Sequence, residues 1–125
     1  MGITKVTVSV TNVNRSVPCF EDLFLVDTGA IDCMASSKKL EEVGIEKVRK
    51  KVYELANGET VEYYIGYAIV AFLGSETVVQ IIFGSEDSEP ILGAVALENV
   101  DIAVDPARQT LKKMPAAPLK VMLVS

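Results

Sequence analysis

Among the side chains able to do chemistry, one arrangement stands apart. Asp27-Thr28-Gly29 follows the apolar run Leu23-Phe24-Leu25-Val26 and leads into Ala30-Ile31-Asp32-Cys33. A carboxylate carried out of a buried strand straight into a glycine turn calls for a reason. Asp, Thr and Gly are also ordinary turn residues, so the tripeptide alone assigns no chemistry. An absence narrows the field, because the 125-residue chain contains no histidine. That removes the Ser-His-Asp and Cys-His classes together with histidine zinc sites. Cys19 and Cys33 have no metal-ligand spacing and read as free thiols. No GxGxxG or other glycine-rich phosphate loop is present, and neither a metal nor a cofactor is expected. Acid–base chemistry, if this is an enzyme, must come from carboxylates, lysine, tyrosine or cysteine.

Charge limits the partners. With 12 Lys and Arg against 17 Asp and Glu, the formal charge is −5, unsuited to nucleic acid or an anionic membrane surface. The one basic cluster, Lys47, Arg49, Lys50 and Lys51, alternates with Val48 and Val52 and reads as the wet face of a strand. No window approaches the length of a transmembrane helix, and "MGITKVTVSV" lacks the pattern of a signal peptide, so a cytoplasmic location is expected. The length fits one domain over 1–125, with a core at about 3–113 and a tail at 114–125.

The elements that must position Asp27 are mostly strands. "ITKVTVSVT" alternates strictly and should turn Val6, Val8 and Val10 inward. "FEDLFLV" delivers Asp27, and "DCMAS" is a short third strand. "SSKKLEEVG" switches to helical spacing, with Ser36 or Ser37 as cap and Gly44 as a left-handed stop. In "VYELANGETVEYYIG" the Asn57-Gly58 pair marks a hairpin. "YAIVAFLG" and "TVVQIIFG" form another, turning at Gly74-Ser75. Pro90 to Gly93 is a short strand entry, "AVALENV" a second short helix, and "DIAVDPARQTLKKM" a closing hairpin with Pro106 at its turn. The fold class is therefore mainly β, a small closed β-barrel-like domain with one or two short helices.

Three of these stretches, "LFLVDTGAIDCM", "LANGETVEYYIG" and "EPILGAVALENVDIAVD", occur in the order and roughly the spacing found in retropepsin-like aspartic proteases. The chain resembles that family, the single-domain relatives of pepsin that include the retroviral proteases, over residues 3 to 113. The resemblance implies an acid-protease fold and an aspartic endopeptidase. Asp27 would be the catalytic aspartate, Thr28 the residue bonding across paired active-site loops, and Gly29 the space left for substrate backbone. Ile91-Leu92-Gly93 resembles the segment packed beneath that loop. The hairpin around Ala56, Asn57, Gly58 and Glu59 resembles the flap over the substrate. A single Asp-Thr-Gly per chain implies a homodimer, each copy supplying one Asp27, with a peptide or protein as substrate. Ala30 stands where pepsin-like sequences carry a Ser able to bond the carboxylate, which favours activity towards neutral pH.

Two departures matter. In retroviral members the residue after that alanine is commonly Asp and the one after the ILG-like glycine is Arg, and the two pair. This chain has Ile31 and Ala94, the expected replacement being an apolar contact. Asp32 could help hold substrate backbone or could be a solvated turn residue. The groove is expected to be apolar, lined near Ile31, Met34, the flap and Leu92. The four tyrosines, 53, 63, 64 and 67, read as wall or core residues. Asp101 and Asp105 read as structural, and "PLKVMLVS" as a possible dimer-interface strand. The rival reading is a retropepsin-like domain that binds peptides or assembles subunits without cutting.

Overall fold

In strand β1 (Lys5–Asn12) the alternation of the sequence becomes a two-sided surface, with Val8 and Val10 fully buried and Val6 packed against the core. The computed structural model describes residues 4–15 and 19–115; Ile3 and the tail proposed as an interface strand lie outside the described residues. The order is β1, β2 (Phe20–Val26), β3 (Cys33–Ser36), α1 (Ser37–Glu42), β4 (Arg49–Glu54), β5 (Thr60–Phe72), β6 (Ser75–Gly84), β7 (Ile91–Leu92), α2 (Ala94–Asn99), β8 (Ile102–Asp105) and β9 (Thr110–Lys113).

Seven strands run in the order β1-β2-β7-β3-β6-β5-β4, and β1 also pairs with β5. Six of them therefore close into a ring, and β4 hangs outside it on β5. Long strand β5 does three jobs along its length. Residues 60–65 pair with β4, residues 65–72 with β6, and residues 68–71 with β1. Beyond Ile65 only two strands remain, so the β4–β5 hairpin leaves the body as an arm. The ring encloses Phe24, Cys33, Leu40, Val70, Ile81 and Leu92, all essentially without solvent exposure.

Helix α1 starts and stops as its sequence dictates. Ser36 caps it, its hydroxyl accepting from the Lys39 N–H. At the other end Gly44 N–H donates to Glu41 O and Ile45 N–H to Leu40 O, a Schellman closure in which Leu40 and Ile45 are both buried. Gly44 has φ +80°, the left-handed conformation for which glycine is suited.

Several local expectations need correction. The stretch expected to form two strands around Gly66 is one continuous strand. Glycine is required there by space, since an added Cβ would lie 2.4 Å from Glu46 O. The second hairpin turns at Leu73-Gly74, not Gly74-Ser75, with Phe72 paired to Ser75 and φ of 50° and 79° at the two turn residues. Val48 and Val52 are themselves exposed, at 57% and 59%, while Lys51 is half-buried, so the basic cluster is not simply the wet face of a strand with its valines inward. Asp105 is structural as expected, its Oδ1 accepting from Ala107 and Arg108 N–H in the β8–β9 turn.

Candidate active site

Asp27 sits immediately beyond a short parallel ladder. Leu25 and Val26 of β2 pair with Ile91 and Leu92 of β7, and the Asp27 N–H continues that pattern by donating to Leu92 O at 3.1 Å. The chain then turns. Ala30 N–H donates to Asp27 O at 3.1 Å, and Gly29 N–H to the Asp27 carboxylate Oδ1 at 2.9 Å. The second bond orients the carboxylate from within its own turn. A Cβ at Gly29 would stand 3.2 Å from that same oxygen, so glycine keeps the turn tight. Asp27 is half-buried, and Thr28 and Gly29 are exposed.

The loop is braced from below by main chain. The first two residues of α2 donate their N–H groups to it, Ala94 to Ala30 O at 2.8 Å and Val95 to Ile31 O at 3.2 Å. Helix starts always have such unpaired donors, and here the Asp27 loop satisfies two of them. Gly93, the N-cap, offers no side-chain cap, and its N–H points at Cys33 Sγ at 3.5 Å. A Cβ there would collide with Asp32 O at 2.5 Å and Ile31 O at 2.7 Å. Ile91, Leu92 and Gly93 thus lie under the loop as expected. The expected apolar contact in place of the Asp–Arg pair is not what holds it, because the Ile31 side chain is 63% exposed. Leu92 is fully buried and belongs to the core, so it does not line a groove.

Asp32 is the largest departure from expectation. It is buried, at 6% exposure, and is not a solvated turn residue. Its Oδ2 accepts from Lys51 Nζ at 2.9 Å and from the Tyr53 hydroxyl at 2.6 Å. Both donors lie on β4, two residues apart and therefore on one face of the arm. Partial burial and the bond to Asp32 hold the Tyr53 hydroxyl well above the ordinary tyrosine range. The Tyr53 ring also meets Tyr63 edge-on, with centroids 6.2 Å apart. Next along the loop, burial is the main cause pushing the Cys33 thiol up to about 11; the Gly93 N–H acts against it and the Asp32 charge with it.

Ala56, Asn57, Gly58 and Glu59 form the exposed tip of the arm. Gly58 N–H donates to Leu55 O and Leu55 N–H to Glu59 O, with Gly58 at φ +88°. That is a three-residue turn with a glycine bulge rather than a two-residue one. Tip bonds are internal, as in Glu59 N–H to Asn57 Oδ1 at 2.9 Å. Arm and loop meet instead through Lys51 and Tyr53, which the sequence reading left out of the site. Their shared parity was visible, but their common partner, about twenty residues earlier in the chain, was not.

No protein-family model matches this sequence, and no curated protein is similar to it. Among solved structures, the EIAV protease complexed with the inhibitor HBY-793 matches 78% of this chain and 88% of its own, at 17% identity and a TM-score of 0.55. The chain has a retropepsin-like fold. Among the described residues no three His, Cys, Asp or Glu side chains converge to hold a metal ion, and no helix is long and apolar enough to cross a membrane.

Proposed function

We propose that this protein is an aspartic endopeptidase, active as a homodimer in which two Asp27 carboxyls face each other. The observation that carries the reading is the build of the Asp27 turn. Its carboxylate is oriented by Gly29 N–H, and its backbone is fixed by Leu92 O and, through Ala30 O, by the first amide of α2. Rigid support under a half-exposed carboxylate is what a pre-organised acid–base site requires and what an ordinary turn does not.

Two carboxyls about 3 Å apart share one proton, because both cannot ionise at that separation. The charged member takes a proton from a water molecule. The protonated member donates to the carbonyl oxygen of the scissile peptide as that water attacks. The resulting tetrahedral intermediate collapses when the leaving nitrogen is protonated, and the apparent pKa values belong to the pair. Substrate lies extended between the loop and the arm, against the apolar side chain of Ile31. A cytoplasmic setting completes the reading.

The test is cleavage of an unstructured peptide library from about pH 4 to pH 8, with the pH dependence read as a property of the pair. Asp27→Asn runs alongside, matched for oligomeric state by sedimentation. Activity in the original chain that disappears in a still-dimeric variant supports the mechanism. A confirmed dimer that cuts nothing overturns it in favour of a peptide-binding domain.

A further inference from the structure

The arm is a structure that ought to be loose. Past Ile65 it is a two-stranded ribbon, and isolated two-stranded hairpins are marginal in water. Its tip bonds only to itself in the turns described above. Lys50–Glu62 and Lys50 over Tyr64 are also internal to it. The Arg49 guanidinium reaches Gln80 on β6 at 3.3 Å, but at the base of the arm and exposed. Lys47 also lies over the rings of Tyr64 and of Phe83 in the body, again at the base. Further out, among the described residues, the arm is hydrogen-bonded to the body at Asp32, with Lys51 and Tyr53 on one carboxylate oxygen.

We propose that Asp32 is a positioning residue which latches the arm to the catalytic loop, so that the arm's free movement begins beyond Tyr53. The proposal rests on the peptidase reading for its catalytic consequence, though not for its structural one. Three features support it. Asp32 follows Ile31, whose carbonyl is held by the Val95 N–H, so the carboxylate is mounted on a fixed base. Its side chain is 4% exposed, against 27% for that of Lys51, which places the acceptor inside and the donors at the rim. Bonds to a charged acceptor away from water are stronger than exposed ones. A latch at Lys51 and Tyr53 leaves residues 54–60, including the tip, as the part able to lift. With the latch intact the base of the arm stays fixed against the loop that carries Asp27, and substrate binding bears less cost for ordering it.

The experiment is hydrogen exchange on the intact protein and on Tyr53→Phe, which keeps the ring and removes one donor, with Asp32→Asn as the second variant. In Tyr53→Phe, amides of residues 50–53 and 61–63 should exchange on the order of tenfold faster, the scale of one lost charge-assisted bond, while β1 and β6 keep their rates. In steady-state cleavage the same factor should fall on KM with kcat little changed, because only the binding-ready fraction of arms has dropped. Unchanged exchange in the arm overturns the latch. Faster exchange in arm and body together also overturns it, since Asp32 would then support the fold as a whole. A wild-type chain that cuts nothing removes the peptidase reading, yet the exchange result still decides the latch.

Discussion

Gly93→Ala isolates what the brace beneath the Asp27 loop does. The backbone of Gly93, at φ −88° and ψ 176°, is open to any residue, so strain is not the issue. Space is. The new methyl would lie 2.5 Å from Asp32 O, 2.7 Å from Asp32 C and 2.7 Å from Ile31 O, all main-chain atoms of the loop. Ordinary contact begins at 3.4 Å, so the loop must retreat by about 0.9 Å or the helix must tilt away by as much. Either movement lengthens the Ala94-to-Ala30 and Val95-to-Ile31 bonds that hold the Asp27 turn. Overpacking of this kind costs about 1–3 kcal/mol, which a urea melt reads as a lowered midpoint at unchanged slope. A displacement near 1 Å at the site should lower kcat/KM by about a hundredfold. Gly58→Ala is the converse control. It stands at φ +88° with no atom within 4 Å, so it should cost about 1 kcal/mol of backbone strain without displacing the loop. A Gly93→Ala protein with the wild-type urea midpoint and wild-type cleavage would refute the reasoning, because the loop would have yielded freely.

Two smaller predictions concern residues away from the site. Leu73 holds a left-handed conformation, φ 50°, in a two-residue turn of the type that favours Asn or Gly; Leu73→Asn should raise the urea midpoint by about 1 kcal/mol of stability, and a lower midpoint would show that the half-exposed leucine contributes packing that outweighs its strain. Cys33 is buried with its thiol pushed up to about 11, whereas Cys19 is exposed; an aromatic disulfide reagent near pH 8 should therefore modify one thiol per native chain quickly and the second only on unfolding, and two equally fast thiols would contradict the packing around Cys33.

How much of this was legible in the sequence follows from the range of each interaction. Elements governed by local rules could be read directly. Alternation in β1, the Ser36 cap, the Gly44 stop and the turn at Pro106 each depend on residues within a few positions of one another. Where two local signals competed, the reading slipped. Gly66 resembles a strand break, yet it is a glycine because Glu46 passes close by in space. Gly74-Ser75 looks a more natural turn than Leu73-Gly74, but the register of β5 against β6 requires a leucine in the left-handed region. At the site, Asp27 and the segment beneath it were marked by their own motif. Lys51 and Tyr53 were not, because an Asp–Lys–Tyr cluster assembled across the closing of a sheet leaves no pattern along the chain. In the basic stretch at 47–51, Lys47, Arg49 and Lys50 are exposed as a wet face implies, and Lys51 alone is drawn inward.

That inward lysine bears on a problem that a two-carboxylate site creates. In the proposed dimer each copy contributes Asp27 and, five residues later, Asp32, so four acidic groups come from a short stretch of two chains. Like charges brought together in a partly dry site raise the cost of assembling it, and an unpaired buried carboxylate adds several kcal/mol on typical scales. The chain avoids this by neutralising Asp32 locally, with Lys51 at 2.9 Å and the Tyr53 hydroxyl at 2.6 Å on the same oxygen. That leaves the proposed Asp27 pair free to share its negative charge over a proton. The loop itself is braced by neutral main-chain bonds from β7 and α2 rather than by an ion pair through position 31. Such bonds neither titrate nor weaken with salt, so loop geometry should stay constant across the pH range in which the carboxyl pair changes state. The Asp32 charge, a liability beside a carboxyl pair if left unpaired, is instead spent on bonds to Lys51 and Tyr53 of the arm.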